Sequence, residues 1–259
     1  MMWTTRPRSE TAPLAAIVAG SGPQVLLLHG VGLRAEAWAA QLDDLARCNI
    51  VRAVDLPGHG RSAAIAGKPT LSDYTHALSA CLQDNTVVIG HSFGAMIALD
   101  LAVKHPHQVS GVAALNAIYG RDPMARAAVI ERADHLDDTV APDPALPLQR
   151  WFGAAQTPQR DACAHWLGTV DPTGYKAAYH VFAHADGPSR VDLASLHCPA
   201  LFLTGAEEPN STPAMSRAMA EITPKGQAHI VEGAAHMMPM THAKEVNDAL
   251  HAFLTRCRQ

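Results

Sequence analysis

Short apolar runs recur along the chain, with room for a helix between each and the next. They occupy residues 25–28, 50–54, 86–89, 109–115, 200–203 and 229–231. Each has the length of a strand and is apolar nearly throughout, the pattern of strands covered on both faces. The intervening segments 35–47, 72–82, 93–105, 213–222 and 242–254 carry apolar residues at helical spacing. The helix at 93–105 stops before Pro106, which cannot continue it. Strands alternating with helices predict an α/β fold, a mostly parallel central sheet flanked by helices through right-handed crossovers. Open sheets of this kind bind ligands at the carboxyl ends of their strands.

The rhythm breaks once. Residues 117–192 contain no convincing strand and hold Trp151, Phe152, Trp166, Tyr175, Tyr179 and Phe182. Pro142, Pro144, Pro147, Pro158 and Pro172 divide this stretch into short helices. It reads as a helical insertion, 117–192, in a core made of residues 1–116 and 193–259.

Composition narrows the function. Of the 259 residues, 48% are hydrophobic and 17% charged, which suits a packed core and excludes a disordered chain. A net charge of −4 offers no basic field for nucleic acid, and nothing recommends a membrane surface. Cys48, Cys81, Cys163, Cys198 and Cys257 are odd in number, scattered and without C-x-x-C spacing. They predict neither a disulfide framework nor a zinc site, and reduced thiols fit a cytoplasmic location. Residues 15–19 are too short for the core of a signal peptide, and no run has transmembrane length. Among 15 histidines, no H-x-x-x-H pair sits with a carboxylate in a metal-ligand pattern. No metal or other cofactor is expected.

The strongest chemical signal is Gly90-His91-Ser92-Phe93-Gly94, between the predicted strand 86–89 and the predicted helix 93–105. G-x-S-x-G in that setting is a nucleophile elbow: small neighbours allow a sharp turn, and the turn lifts the Ser92 hydroxyl clear of the sheet. The helix N-terminus beneath it favours developing negative charge. His29-Gly30-Val31-Gly32 follows the first predicted strand. Its glycines let the backbone come close to Ser92, so that the N–H groups of Val31 and Phe93 form an oxyanion hole. Asp55-Leu56-Pro57-Gly58-His59-Gly60-Arg61-Ser62 is turn chemistry, and Asp55 and His59 are assigned a structural role bracing the neighbouring loop. Gly233-Ala234-Ala235-His236 places a histidine on a small-residue loop late in the chain, able to serve as base and then acid for Ser92. An acid to orient that imidazole belongs after the strand at 200–203, where Glu207 and Glu208 are available.

These segments, in this order, resemble the α/β-hydrolase family over residues 14–254. The resemblance implies Ser92 as nucleophile, His236 as base and the Val31 and Phe93 amides as oxyanion donors. It also implies that 117–192 is a lid over the pocket. In the family the acid often stands three residues after the strand-end glycine and is usually Asp; here that position is Glu208, and Glu207 is the second candidate. The leading expectation is hydrolysis of a small carboxylic ester through an acyl-enzyme. The alternatives are a C–C bond hydrolase or enol-lactonase on the same fold, and a non-catalytic binder of small ligands. A haloalkane dehalogenase or epoxide hydrolase would need an aspartate where Ser92 stands. The aromatics of the insertion, with Met237, Met238 and Met240, suggest an apolar pocket or the packing of the insertion onto the core. Arg121, Arg126, Arg132, Arg150 and Arg160 offer candidates for a carboxylate clamp. The partner is a small molecule; oligomeric state has no signature in the sequence.

Overall fold

The computed structural model describes Trp3, residues 5–9 and residues 14–259. Its strands are β1 (Ala16–Gly20), β2 (Gln24–Leu28), β3 (Ile50–Val54), β4 (Thr86–His91), β5 (Val109–Leu115), β6 (Ala200–Gly205) and β7 (Gly226–Val231). They form a 7-stranded sheet among the described residues, in the order β1-β3-β2-β4-β5-β6-β7. All neighbours pair in parallel except β1 and β3. The core helices are α1 (Ala39–Leu45), α2 (Leu71–Ser79) and α3 (Phe93–Lys104). Between β5 and β6 lie α4 (Pro123–Asp134), α5 (Ala145–Phe152), α6 (Pro158–Thr169), α7 (Pro172–His184) and α8 (Arg190–Ser195). The chain ends with α9 (Pro213–Ile222), α10 (Met238–Thr241) and α11 (Ala243–Arg256). This is the α/β-hydrolase architecture.

The apolar runs become strands because both faces of the sheet are covered. Leu26 and Leu28 pack in a cluster with Phe93, Ile97 and Leu101 of α3, whereas Val25 and Leu27 pack with Trp38, Leu42 and Phe253. Adjacent residues of β2 thus face opposite cores, the two-residue period of a strand, and an all-apolar run satisfies both. The edges depart from that pattern. Residues 15–19, an unassigned apolar stretch in the sequence, supply β1, which pairs antiparallel with β3 at one edge. β7 is the opposite edge and begins at Gly226, before the apolar run, because its first residues are largely exposed and carry polar side chains. The helix expected over 35–47 opens instead as a 3₁₀ turn, Ala35–Trp38, ahead of α1. There the Ala35 N–H donates to Asp55 Oδ1 at 2.8 Å, so a tertiary contact caps the turn.

A buried ionic cluster holds the loops beneath the carboxyl edge. Arg8 Nε donates to Asp55 Oδ2 at 2.8 Å, and its Nη2 donates to Glu36 Oε2 at 2.6 Å. Side-chain exposure is 5% for Arg8, 1% for Glu36 and 0% for Asp55. Burial by itself would raise both carboxyls, but the Arg8 guanidinium outweighs it and holds them below their ordinary values. Two histidines complete the brace. His29 Nε2 accepts from Leu56 N–H at 3.0 Å, so its Nδ1–H donates to Gly30 O at 2.7 Å. His59 Nε2 accepts from Gly32 N–H at 3.0 Å, and its Nδ1–H donates to Pro57 O at 3.1 Å. Each imidazole spans two segments in its neutral form. Burial pushes His29 down to about 3 and lowers His59 as well.

Cys48, Cys81, Cys163, Cys198 and Cys257 are all free thiols. Among the described residues no helix is long and apolar enough to cross a membrane.

Two outcomes are expected from this brace. Arg8→Ala strands two buried carboxylates and lowers stability by about 3–5 kcal/mol, read as a shift in the urea unfolding midpoint. Stability also falls as the pH is lowered. A histidine depressed in the folded state takes up its proton first in the unfolded chain, so its contribution is complete above about pH 6.5 and is lost toward about pH 3. The depressed Glu36 and Asp55 act in the same direction below about pH 4.5. Urea midpoints measured across this range should be flat above neutrality and decline steadily on the acid side.

Candidate active site

Ser92 follows β4, the centre of the sheet, with φ 55° and ψ −116°. A serine pays strain in this left-handed region, and two features hold it there. Its N–H donates to Leu115 O of β5 at 2.8 Å. Gly94 packs against the Leu28 carbonyl so closely that any Cβ would collide with it. The Ser92 hydroxyl makes no capping bond to α3, which leaves it free for chemistry. On its other side, a Cβ on Gly30 would lie 3.2 Å from Ser92 Cβ, so the loop after β2 runs directly past the nucleophile position. Among the described residues, neither Val31 N–H nor Phe93 N–H donates to a backbone carbonyl. The Phe93 amide opens α3, where the helix dipole favours an anion.

The loops after β6 and β7 are tied together by Ala206 N–H to Val231 O and Glu207 N–H to Ala234 O, both at 2.9 Å. This brings Glu208 beneath His236. His236 Nδ1–H donates to Glu208 Oε2 at 2.8 Å, which leaves Nε2 as the open lone pair. The Glu208 side chain is 0% exposed, and Oε1 accepts from Asn210 N–H at 2.9 Å and Ser211 N–H at 3.3 Å. Burial opposes its ionisation, but His236 and these two amides prevail and hold the carboxyl down to about 2. Glu207, the other candidate, is exposed, and among the described residues its side chain makes no hydrogen bond or ion pair with His236.

Ser92 and His236 line one cavity of about 190 Å³, together with Gly30 and Val31. No hydrogen bond joins the Ser92 hydroxyl to His236 among the described residues; such bonds commonly tighten only around substrate. The loop after β6 lines one side through Pro209–Thr212, and the insertion supplies much of the rest: Trp151 of α5, Tyr175 and Tyr179 of α7, and three arginines, Arg121, Arg132 and Arg150. Arg121 is engaged by the Ala185 and Phe182 carbonyls and by Asp186. Arg132 meets the Tyr179 hydroxyl at 3.2 Å, and neither Arg132 nor Arg150 has a carboxylate partner among the described residues. Arg126 pairs with Asp186 and Arg160 donates to the Leu148 carbonyl, so both serve structure. The methionines do not line this cavity: Met237 and Met240 pack with Trp166 and Leu167, and Met238 packs beneath the sheet. The group of Phe152 and Trp166 likewise packs the insertion, away from the cavity.

Three contributors were given no role by the sequence, although His91 stands inside the serine motif. Asn116 follows β5 with φ 51°, and its Nδ2 donates to His236 O at 3.0 Å and Glu208 Oε2 at 3.2 Å. Its place at the carboxyl end of a central strand was the one available signal. His91 Nε2–H donates to His236 O at 2.8 Å, and burial, with the nearby His236 charge, pushes it down to about 3. Trp151 stacks on the His236 ring, centroids 5.8 Å apart and planes 18° from parallel. Among the described residues, no group of three or more His, Cys, Asp or Glu could hold a metal ion.

Known proteins share this arrangement of elements. The sequence profile of the Alpha/beta hydrolase family matches residues 25–249. The chain is 36% identical over 241 residues to the (E)-2-((N-methylformamido)methylene)succinate hydrolase of Acinetobacter baylyi, covering 91% of each. It is 30% identical to the pimeloyl-[acyl-carrier protein] methyl ester esterase of Chromobacterium violaceum, covering 89% of this chain and 94% of that protein. The structure of a thermophilic esterase from Thermogutta terrifontis superposes with a TM-score of 0.85 at 26% identity, covering 95% of this chain and 94% of that one. The chain belongs to the alpha/beta hydrolase family.

Proposed function

We propose that this protein is a serine hydrolase that cleaves an acyl bond in a small substrate bearing free carboxylates. The observation that carries the reading is one cavity shared by Ser92, His236 and two arginines without carboxylate partners, Arg132 and Arg150. In this reading Ser92 Oγ attacks the acyl carbon while His236 Nε2 takes its proton. Glu208, already ionised, accepts from Nδ1–H and stabilises the imidazolium. The Val31 and Phe93 amides hold the oxyanion, each worth about 2.7–4 kcal/mol in the transition state. The imidazolium then protonates the leaving nitrogen or oxygen. Water, deprotonated by His236, attacks the acyl-enzyme and releases the acid with Ser92 restored. The helices of 117–192 act as the lid, closing the cavity and bringing the arginines to the substrate.

The bond is a finer question. The Acinetobacter relative is named for a succinate bearing an N-methylformamido group, a dianion with an N-acyl bond. Two guanidiniums without carboxylate partners suit a substrate with that charge, so an (N-acylamino)methylenesuccinate is the first substrate class. A carboxylic ester is the second, favoured by the methyl ester esterase and the Thermogutta esterase. Both follow the same acyl-enzyme path.

Ser92→Ala is expected to abolish turnover of an (N-formylamino)methylenesuccinate and of p-nitrophenyl acetate while leaving the unfolding midpoint near native. Retained turnover would remove Ser92 as nucleophile. Glu208→Gln should lower kcat by about 10²–10⁴, whereas Glu207→Gln should leave it near native. Arg132→Gln and Arg150→Gln should each raise KM for the dianion about tenfold and leave p-nitrophenyl acetate nearly unchanged. Equal losses on both substrates would assign these arginines to folding.

A further inference from the structure

The His236 imidazole faces several charges, and only some of them favour its protonated form. Glu208 lies against Nδ1, and His91 stands 4.9 Å away, ring centroid to centroid. Across the cavity are Arg121, Arg132 and Arg150, with Asp122 and the phenols of Tyr175 and Tyr179. Asp122 is occupied as the cap of α4, accepting from Met124 and Ala125 N–H. Arg121 is paired with Asp186, but Arg132 and Arg150, without carboxylate partners, oppose any further positive charge in the cavity. The Trp151 indole is the group placed to offset them. Its planes lie 18° from the imidazole at 5.8 Å, within the range in which an aromatic face attracts a cation.

The position of that indole is built into the insertion. α5 ends at Gly153, whose φ of 58° turns the chain sharply. Arg160 Nη1 donates to Leu148 O at 3.0 Å and Gly153 O at 3.3 Å, fastening the end of α5 to α6. Trp151 packs on the insertion's own core, beside Leu148, Trp166 and Tyr175.

We propose that Trp151 is a positioning residue for the base: its indole holds the His236 ring in the plane that serves Glu208 and stabilises the imidazolium formed as Ser92 is deprotonated. This rests on the reading of His236 as the base. It makes the insertion part of the proton-transfer apparatus as well as a cover, since lifting α5 would remove the stacked partner from the base.

The test uses the full chain. A protonated imidazole quenches a stacked indole, so the difference in fluorescence between native protein and W151F isolates Trp151 from the other tryptophans. Lowering the pH from 8.5 to 5 should quench that signal, and the transition should be absent in H236Q. W151L should lower kcat about tenfold with KM little changed, and should move the acid limb of kcat/KM to lower pH because the imidazolium has lost a stabilising face. W151F, which keeps an aromatic face, should retain most of the rate. An acid limb that stays in place or moves upward in W151L, or a quench that survives in H236Q, would overturn the proposal. A His236-dependent quench in a protein whose turnover survives Ser92→Ala would support the contact and overturn the hydrolase reading instead.

Discussion

The turn at Ser92 is the constraint on which the site depends. A φ of 55° costs a serine free energy, on the order of 1–3 kcal/mol, and the surroundings must hold it. They do so with the most rigid material in the molecule. β4 is paired on both sides, Ser92 N–H is bound by the β5 carbonyl of Leu115, and Gly94 lies against the β2 carbonyl of Leu28. Three adjacent strands thus determine one dihedral angle. The same close approach brings Gly30 beside the serine, so the strained turn and the path of the loop after β2 are consequences of one packing arrangement.

Around that turn the molecule uses neutral histidines as hydrogen-bonding struts. His29, His59 and His91 are all fully buried or nearly so; His29 and His59 each bridge two segments through both ring nitrogens, and His91 reaches the His236 carbonyl through Nε2. Burial keeps them unprotonated, which preserves one donor and one acceptor on each ring. His236 differs from them in having a carboxylate on Nδ1 and an open cavity on its other side. Four histidines of one side-chain type are thus set apart by what surrounds each ring.

The division of labour between sheet and insertion follows from rigidity. Strand ends and short loops position Ser92, Glu208, Asn116 and His236, whose geometry must hold to fractions of an ångström. The helices between β5 and β6 contribute Trp151, Arg132 and Arg150, side chains that reach into the cavity from outside the sheet. The turn at Ser92 is held by strands β2, β4 and β5, so the insertion can change its lining without disturbing it.

Most of the fold was legible in the sequence because buried parallel strands must be apolar on both faces, and that requirement leaves continuous runs. Of the edge strands, β1 went unassigned although its residues are mostly apolar, and β7 was legible only at its end, 229–231, because its first residues are largely exposed. The turn at Ser92 was legible for a similar reason: its geometry admits few residues, and Gly90 and Gly94 record that demand locally. The acid could be narrowed only to Glu207 or Glu208 by reading residues alone. The pairing of Glu208 with His236, 28 positions apart, arises where two strand-end loops are tied together. Asn116 left only its place at the end of a central strand, His91 stood inside the serine motif with no role of its own, and of the Arg8 cluster only Asp55 was legible as a brace; their partners, like the stacking of Trp151, are contacts between distant segments that no local pattern records. The sequence by itself determined where the chain must turn sharply and which runs must be buried. Which polar side chains meet was decided only when β4, β5, β6 and the inserted helices were brought to the same edge of the sheet.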